Sequence, residues 1–490
     1  MKVLFIYSGA ENLGIEYLSA FLKLHGHETS LLFDPALFSS AVLVQNNFLS
    51  KLLVKDDEIF EKVIAAKPDL IAFSCITATY RWSVNLAKRI RQQSNIPIVF
   101  GGIHITSVPE EVMRHNFIDY AILGEGEYAL LELLEYLGRD DNRTLSGIQN
   151  LVYRDGDGIH FNPVRNYIQD IDSLPFPDKE LFYDKIPLMS EIYIVLTSRG
   201  CPFACTYCCN NIYHNLYSHQ NHTRRRSPEN VIAELKQAKE KWNPKLITFE
   251  DDVFSTSIPW LEDFIPLYKK EIGIPFSCLT HPANLSKRAA ELLKDGGCRL
   301  IMIGIQTGSE RMRRDIFNRK ESNEKILEST RFVRDAGISL LSVDIILGGP
   351  TETEEDMEKS LDLCRRIDPD RILTFWLSYY PNTEIIKIAE DAGDLSKADI
   401  LKINEGYTQS PHSGGSVSKA KRKLYLKYET QLQLLCLIQN EKFRSVFATI
   451  INYLPFRIFN QGLMFLNAIK NHDPHIFNYI RYYWTKKTVP

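Results

Sequence analysis

The chain has 490 residues, 44% apolar and 24% charged, with a formal net charge of −3. That length is too great for one compact core, so two or three domains are expected, and the near-neutral balance argues against a whole-protein nucleic-acid surface. The opening residues lack an export pattern, and no uncharged apolar stretch approaches a membrane-spanning length. The nine cysteines are odd in number, with four inside Cys201–Cys209. This suits a reducing cytoplasm and one metal site, not a disulfide framework.

Residues 1–140 alternate strand-like and helix-like runs. Val3–Tyr7 reads as a buried strand, and Leu13–His25 has helical spacing that stops at Gly26. Leu70–Ser74, Pro97–Phe100 and Tyr120–Leu123 are further strand candidates, with helical patterns at Trp82–Gln92 and Tyr128–Leu137. The alternation predicts an α/β domain built on a doubly wound parallel sheet. Residues 141–187 break the rhythm and are expected to be a linker. Within them Asn150–Tyr153 and Ile159–Asn162 flank Asp155-Gly156-Asp157-Gly158, a hairpin signal, and Leu174-Pro175-Phe176-Pro177-Asp178 is a proline-stiffened connector.

From Ile192 six strand candidates follow: Ile192–Thr197, Leu246–Glu250, Phe276–Leu279, Leu300–Gly304, Leu340–Leu347 and Ile372–Tyr379. Helical stretches separate them, including Pro228–Lys241, Lys287–Lys294, Asn323–Asp335 and Glu354–Arg366. Six βα units are too few to close an eight-stranded barrel. Residues 188–385 are therefore expected to form an open partial (βα)6 barrel, with its working face at the C-terminal ends of the strands. Residues 386–490 are expected to be a helical extension. Its last 72 residues hold twelve Lys and Arg against three Asp and Glu, interleaved with Phe477, Tyr479, Tyr482, Tyr483 and Trp484. Such a tail suits a cap on the active site, a contact for an anionic or lipid-like substrate, peripheral contact with a membrane surface, or only a solvated basic face.

The segment Arg199-Gly200-Cys201-Pro202-Phe203-Ala204-Cys205-Thr206-Tyr207-Cys208 lies just after the first of those strands. Three thiolates on one loop can converge on a soft metal centre. A structural zinc site wants four ligands in paired spacing, and the adjacent Cys208 and Cys209 chelate one tetrahedral ion poorly. Cys201, Cys205 and Cys208 are therefore the candidate ligands of a [4Fe–4S] cluster with one open iron, and Cys209 is a bystander. The C-x3-C-x2-C spacing, with an aromatic before the third cysteine, resembles the signature of radical S-adenosylmethionine (SAM) enzymes.

That resemblance covers about Ile192–Tyr380. It implies that SAM chelates the open iron and is cleaved to methionine and a 5′-deoxyadenosyl radical, with an electron donor such as flavodoxin or ferredoxin. It also implies SAM contacts from Tyr207 in the cysteine loop and from Asp251 and Asp252 at the end of the second strand, whose carboxylates suit an ammonium. The alternative for the two aspartates is a solvated acidic turn. Gly304-Ile305-Gln306-Thr307-Gly308-Ser309-Glu310 resembles the family's fourth-strand segment, with Gln306 where a glutamate is usual; an amide can still bond a ribose hydroxyl. Asp344-Ile345-Ile346-Leu347-Gly348-Gly349-Pro350 resembles the fifth-strand segment near the adenosine, so Asp344, Gly348 and Gly349 complete the expected SAM site.

The amino-terminal region resembles the cobalamin-binding domain that precedes many radical SAM domains. The resemblance rests on Leu13-Gly14-Ile15-Glu16-Tyr17-Leu18, Phe73-Ser74-Cys75-Ile76-Thr77, Gly101-Gly102-Ile103-His104 and Gly124-Glu125-Gly126-Glu127. It implies cobalamin contacts from Ser8, Leu13, Gly14, Ser74, Thr77, Gly101, Gly102, His104, Gly124 and Glu125. The Asp-x-His-x-x-Gly motif that supplies a cobalt ligand is absent, and His104 is expected to touch the cofactor or shape a turn rather than bind cobalt. A scaffold that binds no corrin stands as the alternative.

Together the two resemblances imply a cobalamin-dependent radical SAM enzyme that methylates an unactivated carbon of a small-molecule substrate. An oxidative cyclase or rearrangement enzyme is the second reading. A non-catalytic cobalamin or iron–sulfur sensor is the third.

Overall fold

The computed structural model describes residues 1–34, 56–138, 144–156, 158–407, 419–438, 462–463, 466–467 and 469–471. Its first sheet has seven strands: β1 (Lys2–Ser8), β2 (Glu28–Asp34), β3 (Leu70–Ser74), β4 (Ile98–Gly101), β5 (Tyr120–Ile122), β6 (Leu151–Asp155) and β7 (Gly158–Phe161). Their spatial order is β2-β1-β3-β4-β5-β6-β7. The first five are parallel, and β6 and β7 join antiparallel, with Tyr120 opposite Tyr153. β1 is apolar on both faces because helices cover both: Val3, Phe5 and Tyr7 enter one core, Leu4 and Ile6 the other. The helices are α1 (Leu13–Leu24), α2 (Asp56–Ala66), α3 (Thr77–Gln93), α4 (Ile103–Ser107), α5 (Pro109–Met113) and α6 (Glu127–Leu137).

The segment expected to be a linker is ordered and packed. Its hairpin extends the sheet edge as β6 and β7, and its proline segment leads into a short helix, α7 (Glu180–Tyr183), that packs between the two halves of the molecule. Phe182 meets the Tyr7 ring edge-on at 6.4 Å, and Tyr183 meets Tyr193 of the second sheet the same way at 6.4 Å. The core is continuous across this junction. β2 and α2 escaped the sequence reading. β2 opens on Glu28-Thr29-Ser30 and is half exposed, so it lacks the apolar run that marks a buried strand.

The second sheet has six parallel strands in simple sequential order: β8 (Ile192–Val195), β11 (Leu246–Phe249), β12 (Phe276–Thr280), β13 (Cys298–Gln306), β14 (Leu340–Leu347) and β15 (Arg371–Trp376). A two-residue ribbon, β9 (Ser198–Arg199) with β10 (Arg224–Arg225), stands apart from it. The cysteine loop and helix α8 (Asn210–Leu216) lie between the ribbon strands. The crossover helices are α9 (Pro228–Trp242), α10 (Ile258–Glu271), α11 (Lys287–Asp295), α12 (Asn323–Asp335) and α13 (Glu354–Ile367). All start at a Ser or Thr whose hydroxyl accepts an N–H of the first turn.

The extension contributes α14 (Glu384–Asp391), α15 (Lys397–Asn404) and α16 (Lys419–Leu437). α16 covers the edge strand β15: Gln433 Nε2 donates to the Ile372 carbonyl at 2.9 Å, and Trp376 Nε1 donates to Glu429 at 3.2 Å. This partners an otherwise open edge. Of the basic tail, Phe477, Tyr479, Tyr482, Tyr483 and Trp484 lie outside the described residues. Among the described residues no helix is long and apolar enough to cross a membrane.

Candidate functional site

The cysteine loop begins with a forced turn. Gly200 takes φ +83° and passes the His222 carbonyl so closely that a Cβ would stand 1.8 Å from its oxygen. Only glycine meets both conditions. Beyond it the loop backbone is braced from several sides. His214 Nε2 lies 2.9 Å from the Cys201 carbonyl, Asn318 Nδ2 donates to the Ala204 carbonyl at 2.9 Å, and Thr206 Oγ1 donates to the Ile316 carbonyl at 2.6 Å. The sulfurs stay available. Burial pushes the Cys201 thiol up to about 12 and raises Cys205. A hydrogen bond from Cys209 lowers Cys208 to about 7, and Asn210 Nδ2 approaches its sulfur at 3.7 Å.

Three soft donors on one loop can hold a cubane cluster and leave one corner open.

The strand ends around this loop carry the other expected residues, and one takes a different role. Asp251 is fully buried. It accepts from the Thr197 N–H at 3.2 Å, from Thr197 Oγ1 at 2.8 Å and from Ser198 Oγ. These hydrogen bonds all go to the turn between β8 and β9, so Asp251 holds that turn in place. Asp252 instead lines a cavity and accepts from Asn210 Nδ2 at 3.2 Å. Partial desolvation among the neighbouring side chains raises its pKa. Tyr207 is also partly engaged: its ring edge meets Phe317 at 5.0 Å, and its hydroxyl accepts from Arg319 at 3.4 Å.

Gln306 sits where β13 slips register against β14, at φ +63°, with its amide folded over Gly304. Asp344 stands opposite Gly304. Its neighbours Val343 and Ile345 enter the helix-side core, so Asp344 alternates to the barrel interior. Its Oδ1 has no partner, and burial pushes its pKa up to about 6. Gly348 takes φ +90° and donates its N–H to Glu352 at 2.7 Å. A Cβ on Gly349 would meet Met312 at 2.6 Å, so both glycines serve the turn after β14.

A cavity of about 440 Å³ opens between the two sheets. The strand order reverses between β1 and β3, the switch point where open α/β sheets bind ligands. Of the residues expected at cobalamin, Gly14, Ser74, Gly101, Gly102, Gly124 and Glu125 line this cavity, and Gly200, Cys209, Asn210 and Asp252 line it from the other side. Gly102 takes φ +100°, and a Cβ there would stand 2.6 Å from the Cys75 carbonyl oxygen. A glycine-rich floor lets a flat ligand approach the backbone.

Ser8, Leu13, Thr77 and His104 are not on its wall. His104, expected to touch the cofactor or shape a turn, lies away from the cavity. It is fully buried, packs tilted against the Tyr80 ring at 4.1 Å, pairs with Thr77 Oγ1 at 3.2 Å and is held down to about 4 by burial. It belongs to the core behind the site. The Glu125 carboxylate is held by Arg199 and Arg224. The sequence reading missed both arginines. The available signal was their place, one at the Gly-Cys step and one opening Arg224-Arg225-Arg226.

Comparison with known proteins agrees with this division. Residues 6–134 match the B12 binding domain and residues 195–364 match the radical SAM superfamily. An uncharacterized methyltransferase of Pyrococcus horikoshii, PH0819, is 28% identical over 75% of this chain and 80% of its own. The anaerobic magnesium-protoporphyrin IX monomethyl ester cyclase of Rubrivivax gelatinosus is 25% identical over 78% of this chain and 68% of its own. The structure of the cobalamin-dependent SAM radical enzyme OxsB, with aqua-cobalamin and SAM bound, superposes with a TM-score of 0.68 at 16% identity, covering 95% of this chain and 72% of that one. The two family matches, in this order along the chain, show that it carries a B12 binding domain ahead of a radical SAM domain.

Proposed function

We propose that the protein is a cobalamin-dependent radical SAM methyltransferase acting on an unactivated carbon of a small molecule. One observation carries this reading: the glycine floor of the B12 domain shares one cavity with Gly200, Cys209 and Asn210, the residues on either side of the Cys201–Cys208 loop. When bound, a cluster with SAM supplies a hydrogen-abstracting radical, and cobalamin supplies a transferable methyl group.

The chain's own residues then have definite tasks. Cys201, Cys205 and Cys208 ligate the cluster. Asp252, fixed by Asn210, accepts from the SAM ammonium, and Asp344 and Gln306 offer acceptors to the ribose. Gly14, Ser74, Gly101, Gly102 and Gly124 hold the corrin. Arg319, which donates to the Gly304 carbonyl and to Tyr207, ties the loop to β13.

The test is anaerobic turnover with methyl-labelled SAM and a metabolite extract. Methylation predicts a labelled product with 5′-deoxyadenosine and S-adenosylhomocysteine each equimolar to it. The similarity to a cyclase keeps oxidative ring formation as the second reading. Equimolar 5′-deoxyadenosine without S-adenosylhomocysteine would establish it and refute methyl transfer.

A further inference from the structure

The cavity is bridged by four charged side chains, two from each half of the molecule. Arg199 Nη1 meets Glu125 Oε1 at 3.1 Å, and its Nη2 meets Glu127 Oε1 at 2.7 Å. Arg224 Nη1 meets Glu125 Oε1 at 2.8 Å and Oε2 at 3.0 Å. Two carboxylates, Glu125 from the loop after β5 and Glu127 at the start of α6, thus balance two guanidiniums from the ribbon β9–β10, where Arg199 and Arg224 stand opposite each other. The group is shielded: the four side chains are between 5% and 17% exposed. The backbone shares in it, because Ile168 donates its N–H to Glu125 at 3.0 Å and accepts from Arg224 at 2.8 Å.

Position gives this quartet its consequence. Arg199 is followed by Gly200, whose turn admits no other residue, and then by Cys201. Glu125 and Glu127 lie beside Gly124 and Gly126 on the cavity floor. The guanidinium therefore connects the backbone that shapes the corrin side to the backbone that aims the first cysteine. We propose that the quartet is an interdomain lock, and that Arg199 is a positioning residue that registers the cysteine loop against the B12 domain. The lock is geometric and holds without any cofactor. Its effect on corrin binding rests on the function proposed above.

Amide hydrogen exchange on the full chain tests the lock directly. In Arg199→Met the segment 200–210 should exchange about tenfold faster than in the native protein, while β11 and β13 keep their protection. Arg199→Lys, which keeps a cation between Glu125 and Glu127, should recover most of that protection. Unchanged exchange at 200–210 would overturn the proposal. So would an equal rise in β11 and β13, which would make Arg199 a general stability residue, and so would a lysine variant no better protected than Arg199→Met.

A second measurement reads the cofactor side. Hydroxocobalamin, followed by equilibrium dialysis, should bind Arg199→Met about tenfold more weakly than the native protein. Native protein that retains no hydroxocobalamin would refute the proposed function, while exchange still decides the lock.

Discussion

Two adjacent aspartates with the same chemistry have opposite tasks, decided by which way each side chain points off the end of β11. Asp251 holds a backbone N–H and two hydroxyls of the β8–β9 turn. Asp252 faces the cavity with Asn210 beside it. Asp251→Ala should therefore cost roughly 1.5–3 kcal/mol of stability by leaving those donors unpaired, measured as a shift in urea midpoint. Asp252→Ala should leave the midpoint within about 0.5 kcal/mol and lower SAM affinity about ten- to a hundred-fold, the worth of a charge-assisted bond. Equal effects of the two on stability would contradict the assignment. Their place in Phe249-Glu250-Asp251-Asp252 was legible in the sequence as an acidic strand end. Their division of labour was not, because a strand end leaves the pleat and its period of two no longer says which residue turns inward.

Among the elements, the turn between β14 and α13 has a built-in sensitivity to pH. Glu352 is 4% exposed, accepts the Gly348 N–H, and is pushed up to about 8 by burial. A carboxyl whose folded pKa lies above its unfolded value near 4.5 keeps its proton better in the native state. Its stabilisation is complete below about pH 4.5 and is lost as pH rises through about 8, on the order of 4 kcal/mol in all. Thermal unfolding of native protein and Glu352→Gln between pH 5 and 8.5 checks this. The native midpoint should fall as pH rises, and the variant, which cannot ionise but can still accept from Gly348, should show a flatter profile. Parallel profiles would refute it. The element itself was well marked beforehand: β14 is Leu340–Leu347 both as predicted and as observed, because an apolar run closed by Gly348-Gly349-Pro350 has only one reading.

The whole molecule depends on the segment that looked like a linker. Lys179 is wholly buried, with Nζ 2.6 Å from Glu11, 3.0 Å from Glu16 and 4.8 Å from the centre of the Tyr193 ring. One ammonium thus fastens the connector to the B12 domain and touches the barrel. Lys179→Met would leave two buried carboxylates facing each other, and we expect a loss of about 3–5 kcal/mol in urea denaturation. Adding Glu16→Gln should return part of that loss by removing one of the stranded charges. A single variant as stable as the native protein would show that the ammonium carries no such weight.

What the sequence alone determined is what lies within a few residues. The three cysteines fall within eight positions, and the six barrel strands are short apolar runs between helical patterns, so both were found from local order. Tertiary structure decided the rest by pairing groups far apart in the chain. Arg199 finds Glu125 across 74 residues, and Arg224 finds it across 99. Neither periodicity nor spacing carries a signal over such distances, since a buried carboxylate needs a cation near it in space and not in sequence. For the same reason the arginine partners of Glu125, the docking of the hairpin on β5 and the burial of His104 against Tyr80 were not legible beforehand. Each was placed only when the two sheets came together and the cavity between them took its shape.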